Sequence, residues 1–217
     1  MDNPYLDTYR AQFADELVSD PLAALRDRPQ PEGRGVRRKL ARAYSWAVPD
    51  TAALDAIAQH SPRGVVEIGA GGGYWAGLLR GRGVDVVAYD PDPTAGRWSP
   101  VLAGYHTAVA DHPDRVLLLV WPSYEQPWTD RVVDLYGGET VIYVGCGGVT
   151  GSDRLHALLG VPCWHAEEGE DCACPPDEPL FEQTAVVEIP QWYGVNDRLS
   201  VHNRIPVVVH SGSDRLA

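Results

Sequence analysis

Short, mainly apolar runs recur along this chain at residues 65–66, 84–88 (interrupted at Asp85), 116–120 and 140–144, and glycines, acids and prolines close them. Runs of this kind, without strict alternation, suit strands covered on both faces. Between them lie stretches with helical apolar spacing. Residues 74–80 form one, closed by Gly83; residues 127–135 form another, ended by Gly137 and Gly138; and Ser152 or Asp153 caps a third, RLHALL. Ahead of the first run, Tyr5, Tyr9, Phe13 and Leu17 predict a helix over 5–25, with Asn3 as its cap before Pro4, lying over one sheet edge. Residues 26–39 read as a linker, and a helix capped by Asp50 or Thr51 leads into the first strand. After the second strand, 98–105 reads as a short helix or loop and 107–110 as a third strand. Two more strands are expected at 184–189 and near 199–209. Strand, helix and parallel strand in succession make a right-handed crossover, which places ligands at the carboxyl ends of its strands.

The first crossover carries the chemistry. It reads GVVEIGAGGGYWAGLLRGRGVDVVAYDPDP, with Glu67 ahead of glycines at 69, 71, 72 and 73, and Asp90 at the second strand end before Pro91. Glycines in such a turn let a ligand approach the backbone. Gly71, Gly73 and Ala76 also satisfy the looser dinucleotide pattern G-x-G-x-x-A. A dinucleotide would bring its pyrophosphate to the helix N-terminus, where Glu67 adds repulsion. A cationic nucleoside fits that carboxylate better, and Asp90 suits the ribose diol of either ligand.

Read as Glu67, Gly69, Gly71 and Gly73, the turn resembles motif I of the class I S-adenosylmethionine-dependent methyltransferases. The resemblance implies an α/β fold, a three-layer sandwich around a seven-stranded, mostly parallel sheet closed by an antiparallel hairpin. Residues 1–48 would form a helical cover and linker, and 49–217 the cofactor-binding part of a single compact domain. It implies S-adenosylmethionine as cofactor, with Glu67 near the methionine amine, Gly69, Gly71 and Gly73 beneath the ribose and methionyl portion, and Asp90 with Pro91 at the ribose. Asp111, after the third strand, would face the adenine amine. Tyr44 and Trp46 would either belong to a lid over the cofactor or pack in the core. WPSY, at Trp121 to Tyr124, is similar to motif IV of amine-directed methyltransferases, but Trp121 and Ser123 replace its polar acceptor and second proline. Trp121 would then line the adenine or an acceptor pocket. For a nucleophile that needs deprotonation, Tyr124, Asp197 and His202 are the candidates, His202 having the most suitable intrinsic pKa. A nicotinamide-dependent oxidoreductase and a non-catalytic cofactor-binding scaffold are the alternative readings.

Composition narrows the partners. Net charge is -12, with 18 Lys and Arg against 30 Asp and Glu, which disfavours nucleic acid as a substrate and favours a small molecule. The basic run Arg34, Arg37, Arg38, Lys39 and Arg42 reads as a solvated helix start. No apolar run reaches membrane-spanning length and the first residues lack a leader pattern, so a cytoplasmic protein with reduced cysteines is expected. Its oligomeric state is open. Cys163, His165, Cys172 and Cys174 lie within twelve residues of one another. Tetrahedral zinc would accept that set; free thiols in a surface loop are the other reading. Residues 189–202, IPQWYGVNDRLSVH, gather aromatic and polar groups suited to a ligand wall.

Overall fold

The computed structural model describes residues 2–12, 33–92, 97–124, 126–161, 178–192 and 195–206. Strand β1 (Val65–Ile68) is buried at every position. It lies between β2 (Val86–Asp90) and β4 (Val116–Val120), parallel to both. The sheet extends to β3 (Leu102–Ala103) beside β2 and to β5 (Thr140–Gly145) beside β4, both again parallel. It closes with β7 (Arg198–Arg204), antiparallel to β5 and to the outer β6 (Phe181–Glu188). The seven strands run in the order β3-β2-β1-β4-β5-β7-β6.

Alternate side chains of the central strands feed two separate cores. Val65, Val86, Ala88, Val116, Leu118, Ile142 and Val144 pack with α1 (Pro4–Gln12), α3 (Thr51–His60) and α4 (Tyr74–Arg80); Leu40 of α2 (Gly33–Ala43) joins that face. Val66, Ile68, Leu117, Leu119, Val141 and Tyr143 pack with α5 (Pro127–Leu135), α6 (Asp153–Leu158) and the 3-10 turn His106–Asp111. The result is a three-layer sandwich with helices on both faces. Burial on both sides is why the strands read as unbroken apolar runs. Expected caps are in place: Asp50 Oδ1 accepts from the Ala53 amide at 2.8 Å, Ser152 Oγ from that of Leu155 at 3.0 Å, and Asn3 Oδ1 from that of Leu6 at 3.1 Å.

Two expectations need correction, and a third is only partly within the described residues. Residues 107–110 are not a strand: His106–Asp111 is a 3-10 turn with only Val109 buried, and the third strand is the two-residue Leu102–Ala103 within the stretch read as helix or loop. Both residues of that edge strand are exposed, so burial writes no pattern there. The stretch read as a linker as far as Lys39 is helical from Gly33. The first helix is described only over Pro4–Gln12; residues 13–32, which would have continued it, lie outside the described residues.

Candidate active site at the carboxyl ends of the central strands

Where β1 ends, the chain turns through Gly69, Gly71 and Gly73, each with positive φ (76°, 52° and 71°). The amides of Gly69 and Ala70 both donate to Tyr89 O, which ties the turn to β2. Asp90, at the end of β2, accepts the Gly71 amide on Oδ2 at 2.8 Å and the Asp92 amide on Oδ1 at 2.9 Å. Each oxygen keeps capacity for a further donor. The three glycines serve different ends. A Cβ on Gly71 would meet nothing within 4 Å, whereas one on Gly73 would lie 2.8 Å from Val101 Cγ2 and 2.9 Å from Ser99 O. Gly71 therefore keeps open space beside the backbone, and Gly73 lets the turn close on the 99–101 segment.

Glu67 is the unusual charge. Its side chain is 1% exposed, and Oε2 has no hydrogen-bond partner. Burial pushes its carboxyl up to about 8, against the pull of the Arg80 guanidinium and the Ala76 amide. Arg80 is drawn away by Val86 O, Pro100 O and the Ser99 hydroxyl. A buried carboxylate left this way is costly unless a cation or donor reaches it.

Glu67 opens into a cavity of about 370 Å³ lined also by Gly69, Gly71, Tyr44, Trp46, Trp98 and Trp121. Tyr44 stacks on Tyr5 (centroids 5.0 Å apart, planes 8° apart) and on Trp98 at 5.2 Å. Trp98 is pinned by two bonds, its amide to Gly72 O and its Nε1 to Ala43 O. Tyr44 thus both packs and lines the cavity, so the two readings of it describe one arrangement. The cavity joins an unpartnered carboxylate, open backbone and aromatic walls, and this donor set fits the ammonium, ribose and adenine of S-adenosylmethionine. Gly73, Asp90 and Pro91 do not themselves line it; Asp90 acts on the turn that does.

At the far wall, Trp121 directly follows β4 with φ 52°, the one non-glycine residue of positive φ among the described residues. Its Nε1 donates to Asp197 Oδ1 at 2.7 Å, and its ring stacks on Trp46 at 5.2 Å. Arg37 lies over both indoles, its Cζ 4.8 Å from the Trp121 centroid and 5.4 Å from that of Trp46. Asp197 is fully buried just before β7, and burial pushes its carboxyl up to about 6 against the Trp121 bond and Arg37. Arg37 was expected to be solvated, as part of the basic run, and is not: its Nε and Nη2 are buried. The signal was available, because Arg37 sits three and four residues before Leu40 and Ala41, on the face of α2 that packs inward. Arg97 and Trp98 also line the cavity without having been singled out from sequence, as do Arg42 of the basic run and Ser123 of WPSY, which were not read as part of the cofactor site.

Other candidates fall elsewhere. His202 pairs with Val141 near the start of β5, the end of the sheet away from the glycine turn. It is fully buried, Nδ1 bonds Leu159 O and Nε2 the Ser200 hydroxyl, and burial pushes its imidazole down to about 4. It is a structural residue and not a base at this site. Asp111 is exposed at the end of the 3-10 turn and does not reach the cavity. Tyr124 is 47% exposed, and its neighbour Ser123 lines the cavity in its place. Cys163, His165, Cys172 and Cys174 lie outside the described residues, as does Tyr193 of the expected ligand wall. Among the described residues no group of three or more His, Cys, Asp or Glu is placed to hold a metal ion.

The strand order, the reversed β7 and the acid-led glycine turn at the end of β1 agree with the architecture the resemblance implied. The chain has the strand order and layering of the class I methyltransferase fold. No protein-family model matches it, and no curated protein matches it by sequence. Solved structures similar to it include a magnesium protoporphyrin IX methyltransferase from Synechocystis PCC 6803 with bound S-adenosylmethionine, at 10% identity over 94% of this chain and 98% of that one, TM-score 0.47. Another is the 1,6-didemethyltoxoflavin-N1-methyltransferase of Burkholderia thailandensis, at 15% identity over 83% and 93%, TM-score 0.48. A third is an rRNA methylase from Streptococcus thermophilus, at 13% identity over 70% and 94%, TM-score 0.40. Among the described residues no helix is long and apolar enough to cross a membrane.

Proposed function

We propose that this protein is an S-adenosylmethionine-dependent methyltransferase acting on a small-molecule acceptor. One observation carries the reading: Glu67, whose carboxyl is buried with Oε2 lacking a hydrogen-bond partner, belongs to the wall of a cavity bounded by the open backbone of Gly69 and Gly71. A ligand with an ammonium group favours ionisation of that carboxyl and pairs with it, whereas a diphosphate would hold it protonated and gain no charge pairing from it. Asp90 adds a second carboxylate at the mouth of the turn, suited to the ribose hydroxyls. The bound cofactor supplies an electrophilic methyl group; the protein holds the acceptor in line with it, which accounts for much of the rate such a site provides. A small acceptor agrees with the net charge of -12 and with the aromatic lining of the cavity.

Isothermal titration with S-adenosylmethionine and with NAD tests the assignment. The expected result is saturable heat with the first and none with the second; the reverse would replace methyl transfer with hydride transfer.

A further inference from the structure

The cofactor cavity adjoins a second depression of about 430 Å³, lined by Gly35, Arg38, Lys39, Arg42, Ala43 and Arg97. Arg42, Ala43 and Arg97 line both, so the two spaces share a border. Four cations surround the outer one, and no carboxylate lines it. All four are exposed, and among the described residues none of their side chains takes part in an ion pair. They come from two segments. Gly35, Arg38, Lys39 and Arg42 share one face of α2, opposite the face that carries Leu40 and Ala41 inward. Arg97 belongs to the segment that Trp98 anchors, with its indole Nε1 on Ala43 O at 2.8 Å, its amide on Gly72 O and its ring stacked on Tyr44. The bond to Ala43 holds the fourth cation beside the other three.

We infer that this depression is the anion subsite of the methyl acceptor: it takes the phosphate or carboxylate of a small acidic molecule whose methyl-accepting end enters the neighbouring tryptophan-walled cavity. The inference rests on the methyl-transfer reading above and names its substrate class.

Charge selects the guest. Arg38 and Arg42 stand one helical turn apart, where like charges destabilise a helix, and an oxyanion between them turns that repulsion into attraction. Guanidinium groups match the oxygens of carboxylate and phosphate two at a time. There is room for such a group, since a Cβ on Gly35 would meet nothing within 4 Å and the bare backbone leaves that space to a guest. The carboxylate of S-adenosylmethionine does not account for the cluster. Arg42 and Arg97 border the cofactor cavity, but Arg38 and Lys39 line only the outer depression. A nucleic acid fits less well than a small acid, because a long polyanion would run on over a protein of net charge -12. A small anion meets the four cations at contact, while charges beyond about 8 Å are largely screened at physiological salt. Trp46, Trp98 and Trp121 then offer flat apolar walls to the remainder of the molecule.

The test uses the full chain. Calorimetry first establishes S-adenosylmethionine binding by the wild type, alone and in the presence of phenyl phosphate. Phenyl phosphate, benzoate and the uncharged benzamide are then titrated into protein saturated with S-adenosylhomocysteine, at low and at physiological salt. The expected result is binding of at least one anion, weakened by salt, with none of benzamide and no competition between phenyl phosphate and the cofactor. Binding of phenyl phosphate alone assigns a phosphate ester, and of benzoate alone a carboxylic acid. Arg38→Gln combined with Lys39→Gln removes two exposed cations that do not line the cofactor cavity, and glutamine keeps the helix. That variant should bind the anion about tenfold more weakly, with its affinity for S-adenosylmethionine unchanged. Binding of neither anion, equal binding of benzamide, competition with the cofactor, or a double variant that binds the anion as the wild type does would each overturn the subsite alone. So would an RNA oligonucleotide bound by a protein that holds neither small anion. Absence of cofactor binding by the wild type would remove the methyl-transfer reading, and the acceptor subsite with it, even if phenyl phosphate still bound.

Discussion

At the scale of single residues, the two acids of the first crossover do different work although sequence places them alike. Glu67 lines the cavity and has one buried oxygen without a hydrogen-bond partner, while Asp90 spends one hydrogen bond on the Gly71 amide and one on that of Asp92. Asp90→Ala therefore removes both a ribose acceptor and a tether of the glycine turn. The expected loss of S-adenosylmethionine affinity is about 1 to 3 kcal/mol, or roughly 5- to 150-fold by calorimetry. Affinity unchanged in that variant would mean that Asp90 neither meets the ribose nor shapes the turn. Both acids were legible as strand-end carboxylates, Glu67 ahead of the glycine turn and Asp90 ahead of Pro91, where local pattern marks the carboxyl edge of the sheet. The burial of Arg37 and its meeting with Trp121 and Asp197 were harder to see. Their significance comes from a meeting of α2, the end of β4 and the entry to β7 across 160 residues, and nothing local to Arg37 separates it from the solvated Arg38 and Lys39 except helical phase. His202 misled for the converse reason: an imidazole's intrinsic pKa recommends it from sequence, and only its depth at the wrong end of β5 removes it.

Among the elements, the buried strands and the capped helices were readable, since their patterns follow from burial on two faces and from side-chain caps. Residues 116–120 and 127–135 carry the elements expected of them, β4 and α5, at the expected bounds. The edge strand Leu102–Ala103 was not readable, because a two-residue exposed strand is set by its partner. Tyr89 and Asp90 provide the ladder, and Gly104 allows the approach: a Cβ there would lie 2.6 Å from Tyr89 Cδ1. The start of α4 illustrates how an element depends on one position. Gly73 is its N-cap with φ 71° and no side-chain cap, and Ser99 and Val101 close over it. Gly73→Ala puts a Cβ into the left-handed region and against the Ser99 carbonyl. We expect a loss of about 2 kcal/mol or more, seen as a fall of roughly 4 to 8 °C in Tm. Gly71→Ala has the same backbone cost but open space, so its Tm should fall less while cofactor binding weakens more.

For the whole molecule, buried titratable groups pull stability in opposite directions with pH, and their windows separate them. Glu67 is raised from 4.5 to about 8, so between those values the folded protein holds a proton that the unfolded chain has released. Stability contributed there is full below pH 4.5 and is lost as pH rises toward 8. Asp197, raised from 3.8 to about 6, acts with the same sign over a lower window. His202, lowered from 6.5 to about 4, acts with the opposite sign, since the unfolded chain takes up the proton that the folded one refuses; His156 is lowered too. Below pH 6.5 these contributions offset one another, and between pH 6.5 and 8 Glu67 acts without that offset. The ligand-free Tm should accordingly fall across pH 6.5 to 8, and Glu67→Gln should flatten that slope while leaving the lower-pH behaviour in place. Saturating S-adenosylmethionine should reverse it, because an ammonium beside Glu67 favours the ionised carboxylate: affinity rises with pH toward 8, and binding at pH 7 releases close to one proton, measurable by calorimetry in buffers of different ionisation enthalpy. A wild-type slope that Glu67→Gln leaves unchanged, together with no proton release, would mean that Glu67 is already ionised at neutrality by a partner of its own, and the argument that a cationic ligand is what this cavity lacks would fail with it.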